Sequence, residues 1–71
     1  MRPHLCHFGK RLCELRLSEK LSQEKLAEKA GLHRNYVGLL ERGETNVSLL
    51  ALVALGRALG VRPSKLIDAI R

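Results

Sequence analysis

Leu21 to Gly43 reads LSQEKLAEKAGLHRNYVGLLERG. Ser22 stands ahead of Gln23–Ala30, and a serine hydroxyl there accepts a hydrogen bond from a backbone N–H that opens a helix. Gly31 supplies the left-handed residue that ends it. A second helix opens at His33 or Arg34 and stops at Gly43. Leu26, Ala27 and Ala30 share one face of the first helix; Val37, Leu40 and Glu41 share one face of the second. The first turn of the second helix carries Arg34, Asn35 and Tyr36, large polar side chains that nothing in the sequence requires to be buried. Two short helices across a tight glycine turn, the second opening on base-reading residue types, form a helix-turn-helix, here about residues 22–42. The partner this implies is double-stranded DNA.

Outward from that core the chain continues as helices, with no repeat, low-complexity tract or strand-like alternation. The first helix runs from about His4 or Leu5 to Ser18. Pro3 stands just ahead of it, and its apolar stripe is Leu5, Phe8, Leu12 and Leu15. Helix two is Ser22 to Ala30 and helix three about His33 to Arg42. Ser48 caps helix four, which runs to Leu59 before Gly60, and Pro63 opens helix five, which reaches about Ile70. The fold class is therefore all-α, five helices with short links. Helix four is apolar nearly all round. Leu49, Leu52, Leu55, Gly56 and Leu59 form a core face, while Leu50, Val53 and Ala54 need a second cover. Either helix five, through Leu66, Ile67 and Ile70, supplies it together with the N-terminus, or a second copy of the chain does, making a homodimer.

Composition narrows the function. Seventy-one residues make one small domain, 1–71, that buries only about 60% of its unfolded surface, so association is a common remedy for a thin core. Thirteen Lys and Arg against seven Asp and Glu give a net charge of +6, which favours a polyanionic partner. No run of about 18 apolar residues exists for a membrane, and MRPHLCHFGKRL lacks the apolar centre of a secretion signal. The expected location is the cytoplasm, on the nucleoid through DNA. Cys6 and Cys13 would lie ~10 Å apart on one helix, too far for a disulfide. With His4 and His7 they match no paired-ligand zinc spacing, so no metal and no cofactor is expected. No phosphate-binding glycine loop, nucleophile–base set or paired carboxylate points to an enzyme. Glu14, Glu19, Glu24 and Glu28 read as solvated helix faces, several at ion-pair spacing from lysines.

Arg16, Leu21-Ser22-Gln23, Leu26-Ala27, Ala30-Gly31, Val37, Leu40-Glu41-Arg42-Gly43, Leu52 and Leu55 through Leu59-Gly60-Val61 together resemble the phage-repressor and Cro-like (XRE) family. The likeness implies a compact, lambda-repressor-like domain. GLHRNYVGLLERGETNVSLL is particularly similar to the controller proteins of restriction–modification operons, small dimeric regulators whose recognition helix begins with a His-Arg-X-Tyr run. The resemblance implies that Gln23 bonds a phosphate and braces the recognition helix. It also implies that Arg16 salt-bridges Glu41 as a structural pair. Controller-like sequences often carry a basic residue where Thr45 stands here.

The DNA-binding candidates follow. Arg34 suits O6 and N7 of guanine, with an ordinary solvated cation as the alternative; Asn35 suits N6 and N7 of adenine, or a phosphate. Tyr36 suits a phosphate, a thymine methyl, or a partly buried packing position. His33 stands where the family usually has a Ser or Thr cap and reads mainly as a substitute cap, otherwise as a phosphate contact. Ser22 and the helix start around Gln23 form a phosphate clamp, with Lys25 adding charge. Arg42, Thr45, Asn46 and Ser48 line the loop and cap expected along the sugar-phosphate backbone. The function these features point to is a sequence-specific transcriptional regulator on a pseudo-palindromic operator, with RNA polymerase a further partner where it activates. An autonomous phage or plasmid repressor, or the antitoxin of a toxin–antitoxin pair, is the alternative.

Overall fold

A computed structural model describes residues 3–68, and among them every regular element is an α-helix. The order is α1 (Pro3–Ser18), α2 (Gln23–Ala30), α3 (Arg34–Glu41), α4 (Leu49–Leu59) and α5 (Pro63–Ile67). Pro3 opens α1 rather than preceding it, a position where the missing N–H costs nothing. The Ile70 end expected for the last helix lies outside the described residues.

Local chemistry sets the helix ends. Ser22 Oγ accepts from Lys25 N–H (3.0 Å) and Ser48 Oγ from Ala51 N–H (3.1 Å). At Gly31, φ is +69°, and Leu32 N–H reaches back to Ala27 O at 2.8 Å. That six-to-one bond closes α2 and turns the chain toward α3.

Phe8, Leu12, Leu26, Ala27, Val37, Leu40, Leu55, Leu59 and Leu66 form one buried cluster. Around it α1 packs on α3 and α5, α2 on α3 and α4, and α4 on α5. The α1–α3 crossing is close because Gly9 has no side chain: an added Cβ would run into the carbonyl oxygens of Leu40 and Glu41. That approach sets where α3 sits, and hence where its exposed first turn points.

The assignment of Leu49 to the core face of α4 is corrected. Leu49 is 75% exposed, and Ala51 is buried instead, beside Leu55, Gly56 and Leu59. At 100° per residue, the buried face is turned toward Ala51, which leaves Leu49 on the flank and Leu50 at the opposite pole. Leu50 is 83% exposed. Leu66 does not cover it, because Leu66 enters the common core from the other side of α4.

Candidate nucleic-acid interface

Three helices meet at one bonded corner. Arg16, at the end of α1, donates Nε to Glu41 Oε2 (2.7 Å) and Nη2 to Glu41 Oε1 (3.0 Å), a two-pronged pair across 25 positions of sequence. The two side chains are only 11% and 6% exposed. Arg16 Nη1 also donates to Leu21 O (2.8 Å), and Gln23 Nε2 donates to Glu41 Oε1 (3.0 Å). The corner thus ties the end of α1 and the start of α2 to the end of α3. Burial alone would push the Glu41 carboxyl up, but the bonds from Arg16 and Gln23 outweigh it and hold the group below the usual carboxylate range. The same hydrogen bond to Glu41 raises the Arg16 guanidinium.

Braced this way, α3 presents its N-terminal turn to solvent. Arg34 and Asn35 are exposed, and Gln23, Arg34, Asn35, Gly38, Leu39 and Arg42 line one open depression. Its floor is Gly38, where the absence of a side chain leaves room for the Arg42 guanidinium and the Gln23 amide. Donors of guanidinium and amide type around a shallow apolar floor can engage base edges and phosphate oxygens together.

The remaining candidates lie around this depression rather than in it. His33 is the N-cap of α3: its Nδ1 accepts from Asn35 N–H at 3.0 Å. The neutral ring then carries its proton on Nε2. His33→Ala is expected to cost about 0.5–2 kcal/mol, whereas His33→Ser keeps an acceptor and most of that stability. Urea melts of the two variants check this, and equal midpoints for Ala and wild type would show that the cap carries no energy.

The Tyr36 hydroxyl is engaged by the next loop: it donates to Asn46 O (3.2 Å) and accepts from Ser48 N–H (3.1 Å). Its proton is committed there rather than offered to a phosphate, so Tyr36 latches the α3–α4 loop onto α3. Asn46 is exposed and Thr45 half-buried in that loop, while Ser48 is spent as the cap of α4. Arg42 Nε donates to Glu44 Oε1 (3.1 Å), and Lys25 pairs with Glu28 (3.6 Å), so both cations are partly compensated. Sequence reasoning missed Gly38, Leu39 and Glu44. Glu24 lies on a solvated helix face as its sequence position indicates, but its contact with Arg34, Oε2 to Nη1 at 3.6 Å, was not foreseen. Ten positions separate those two residues, so helical spacing gives no signal of their meeting.

A family model described as helix-turn-helix matches residues 14–66. The chain belongs to the helix-turn-helix family. It is 47% identical over 62 residues to the control protein C.BamHI of Bacillus amyloliquefaciens, covering 86% of this chain and 76% of that protein. The crystal structure of the restriction-modification controller protein C.AhdI from Aeromonas hydrophila superposes with a TM-score of 0.90 at 49% identity, covering 92% of this chain and 98% of that one. The immunity repressor of Bacillus phage phi105 is 42% identical over 59 residues, 83% of this chain but 41% of its own length. This helix-turn-helix chain is a DNA-binding transcription regulator of the XRE type, related to restriction–modification control proteins. No helix among the described residues is long and apolar enough to cross a membrane.

Proposed function

We propose that the chain regulates transcription by occupying a pseudo-palindromic operator as a homodimer, and that it controls a restriction–modification operon. The observation that carries the first part is the exposed Arg34–Asn35 turn set beside Gln23 and Arg42. Arg34 reads a guanine in the major groove; Asn35 reads an adenine or bonds a phosphate; Gln23, Arg42 and the loop with Thr45 and Asn46 set the register on the sugar-phosphate backbone. Ser22, Lys25, His33, Tyr36 and Ser48 shape or flank that surface. The second part draws on the likeness to C.BamHI and C.AhdI. The likeness to the phi105 repressor favours an autonomous phage repressor as the second reading. The gene beside this one separates them, a methyltransferase or nuclease supporting the first.

The dimer reading draws on α4. Leu50, Val53 and Ala54, with Ala30, line a depression rimmed by Lys29 and Arg57, and Leu49 and Leu50 stand in solvent in the single chain. Pairing this face with its own copy removes that apolar surface from water and gives the complex two recognition helices, whose half-sites are expected about one helical turn of DNA apart, ~10 base pairs. Where the operator overlaps the promoter, occupancy blocks transcription; where it lies upstream, the bound dimer is placed to recruit RNA polymerase. Leu50→Glu puts a charge in the joint and is expected to weaken self-association by about tenfold or more. Sedimentation equilibrium at micromolar concentration checks it. A wild-type chain that is monomeric both free and on a full operator would overturn the dimer.

A further inference from the structure

The Arg34 guanidinium, in an exposed first turn, faces a carboxylate of its own chain. Glu24 stands in the first turn of α2, and its Oε2 lies 3.6 Å from Arg34 Nη1, with the side chains 70% and 64% exposed. Helix geometry favours an acid at that place, since the α2 N-terminus presents its positive dipole end there. Glu28, one turn on, is matched instead with Lys25 at 3.6 Å, which leaves Glu24 to the recognition helix. Glu24, Glu28, His33 and Arg34 line one shallow depression beside the base-reading turn. A negative charge on a surface that approaches phosphates is unfavourable unless it has some other use.

We propose that Glu24 masks the base-reading Arg34 and sets its affinity for the operator, occupying the guanidinium until a guanine replaces it. The inference rests on the assignment of Arg34 as a base reader. In the free protein Glu24 offers Arg34 a single-pronged, solvent-exposed partner. A guanine offers two acceptors in the plane of the guanidinium and displaces the carboxylate. A site without guanine at that position gives Arg34 no better partner than Glu24, and the pair then stays closed. Glu24 therefore subtracts the cost of breaking the pair from the affinity for a guanine-bearing site and leaves the affinity for other DNA nearly unchanged.

The test is a double-substitution cycle with Glu24→Gln and Arg34→Ala, read by fluorescence anisotropy at 0.15 M salt. The probes are a duplex selected by the wild-type protein from a random-sequence library and a scrambled duplex of equal length. An exposed pair of this kind contributes about 0.2–1 kcal/mol, so Glu24→Gln is expected to tighten binding to the selected duplex about 1.5- to 5-fold. It should also widen the gap between selected and scrambled DNA, since only the guanine-bearing site has to break the pair, and lower the melting temperature by no more than about 8 °C. In the Arg34→Ala background most of that tightening should vanish. Equal tightening in both backgrounds would mean that Glu24 acts only as a bulk charge, and weaker binding on Glu24→Gln would mean that it assists the complex; either result overturns the proposal. A wild-type protein that fails to discriminate the two duplexes would instead overturn the reading of the interface itself.

Discussion

Glu41→Ala is expected to melt at least about 12 °C below the wild-type chain, although the change removes a negative charge from the side that faces DNA. Charge alone predicts tighter DNA binding. The geometry predicts the reverse, because Arg16 loses a two-pronged acceptor and Gln23 loses the acceptor at 3.0 Å. Removing one partner of a buried pair costs about 3–5 kcal/mol, less where water can reach it. A domain of this size has roughly 4–11 kcal/mol in total, and each kcal/mol shifts its melting point by about 4–8 °C. With the side chains 11% and 6% exposed and the bonds part-buried, the cost falls near the lower end of that range. An apolar pair, Arg16→Met with Glu41→Leu, should recover part of the loss. It cannot recover all of it, since Leu21 O then lacks the Arg16 donor and Gln23 remains unpaired. A Glu41→Ala chain that melts with the wild type and binds operator more tightly would mean that the corner carries no energy.

Acid should act on the same corner. The Glu41 carboxyl binds its proton more weakly in the folded chain than its ordinary value of 4.5. The unfolded chain therefore holds more protons through that range, and stability rises with pH there. The contribution of the pair is complete above about 4.5 and is lost as pH falls through the lower, folded value. Glu41→Gln should flatten that acid limb in denaturant melts taken between about pH 2 and 6.

The second large effect is on recognition. Arg34→Ala should lose about 1–3 kcal/mol of specific binding, roughly 5- to 150-fold, while affinity for random duplex changes little. Arg34 is the first residue of α3 and its side chain is mostly solvent-exposed, so its removal leaves the core intact and the melting temperature near wild type. Gln23→Ala should lower affinity for all sequences more evenly, since a phosphate contact positions without selecting. An equal loss on operator and random DNA for Arg34→Ala would remove it as a base reader.

The parts of this molecule that were legible in its sequence are those set by local chemistry. Ser22, Ser48, Gly31 and Gly60 mark helix ends because caps and left-handed residues act within a few positions, and His33 fills its cap although the residue type is unusual there. The amphipathic stripes of α1, α2 and α3 were legible for the same reason. Helix α4 was not, because a helix apolar on every side carries no phase: Leu49 and Ala51 are equally admissible core residues until packing chooses the smaller one. The close crossing at Gly9, the latch from Tyr36 to the loop at Asn46 and Ser48, and the meeting of Glu24 with Arg34 all join separated segments. Periodicity holds no trace of them. The Arg16–Glu41 pair spans 25 positions and was accessible only through resemblance to other helix-turn-helix chains.

The most direct test of a recognition helix opened by Arg34 and Asn35 is footprinting of the wild-type protein on the DNA immediately upstream of its own gene. The expected result is bounded protection over two related half-sites centred about 10 base pairs apart, or a multiple of one helical turn, lost with Arg34→Ala at a concentration where the wild type saturates. Uniform protection along the whole fragment, or a footprint unchanged by Arg34→Ala, would contradict it.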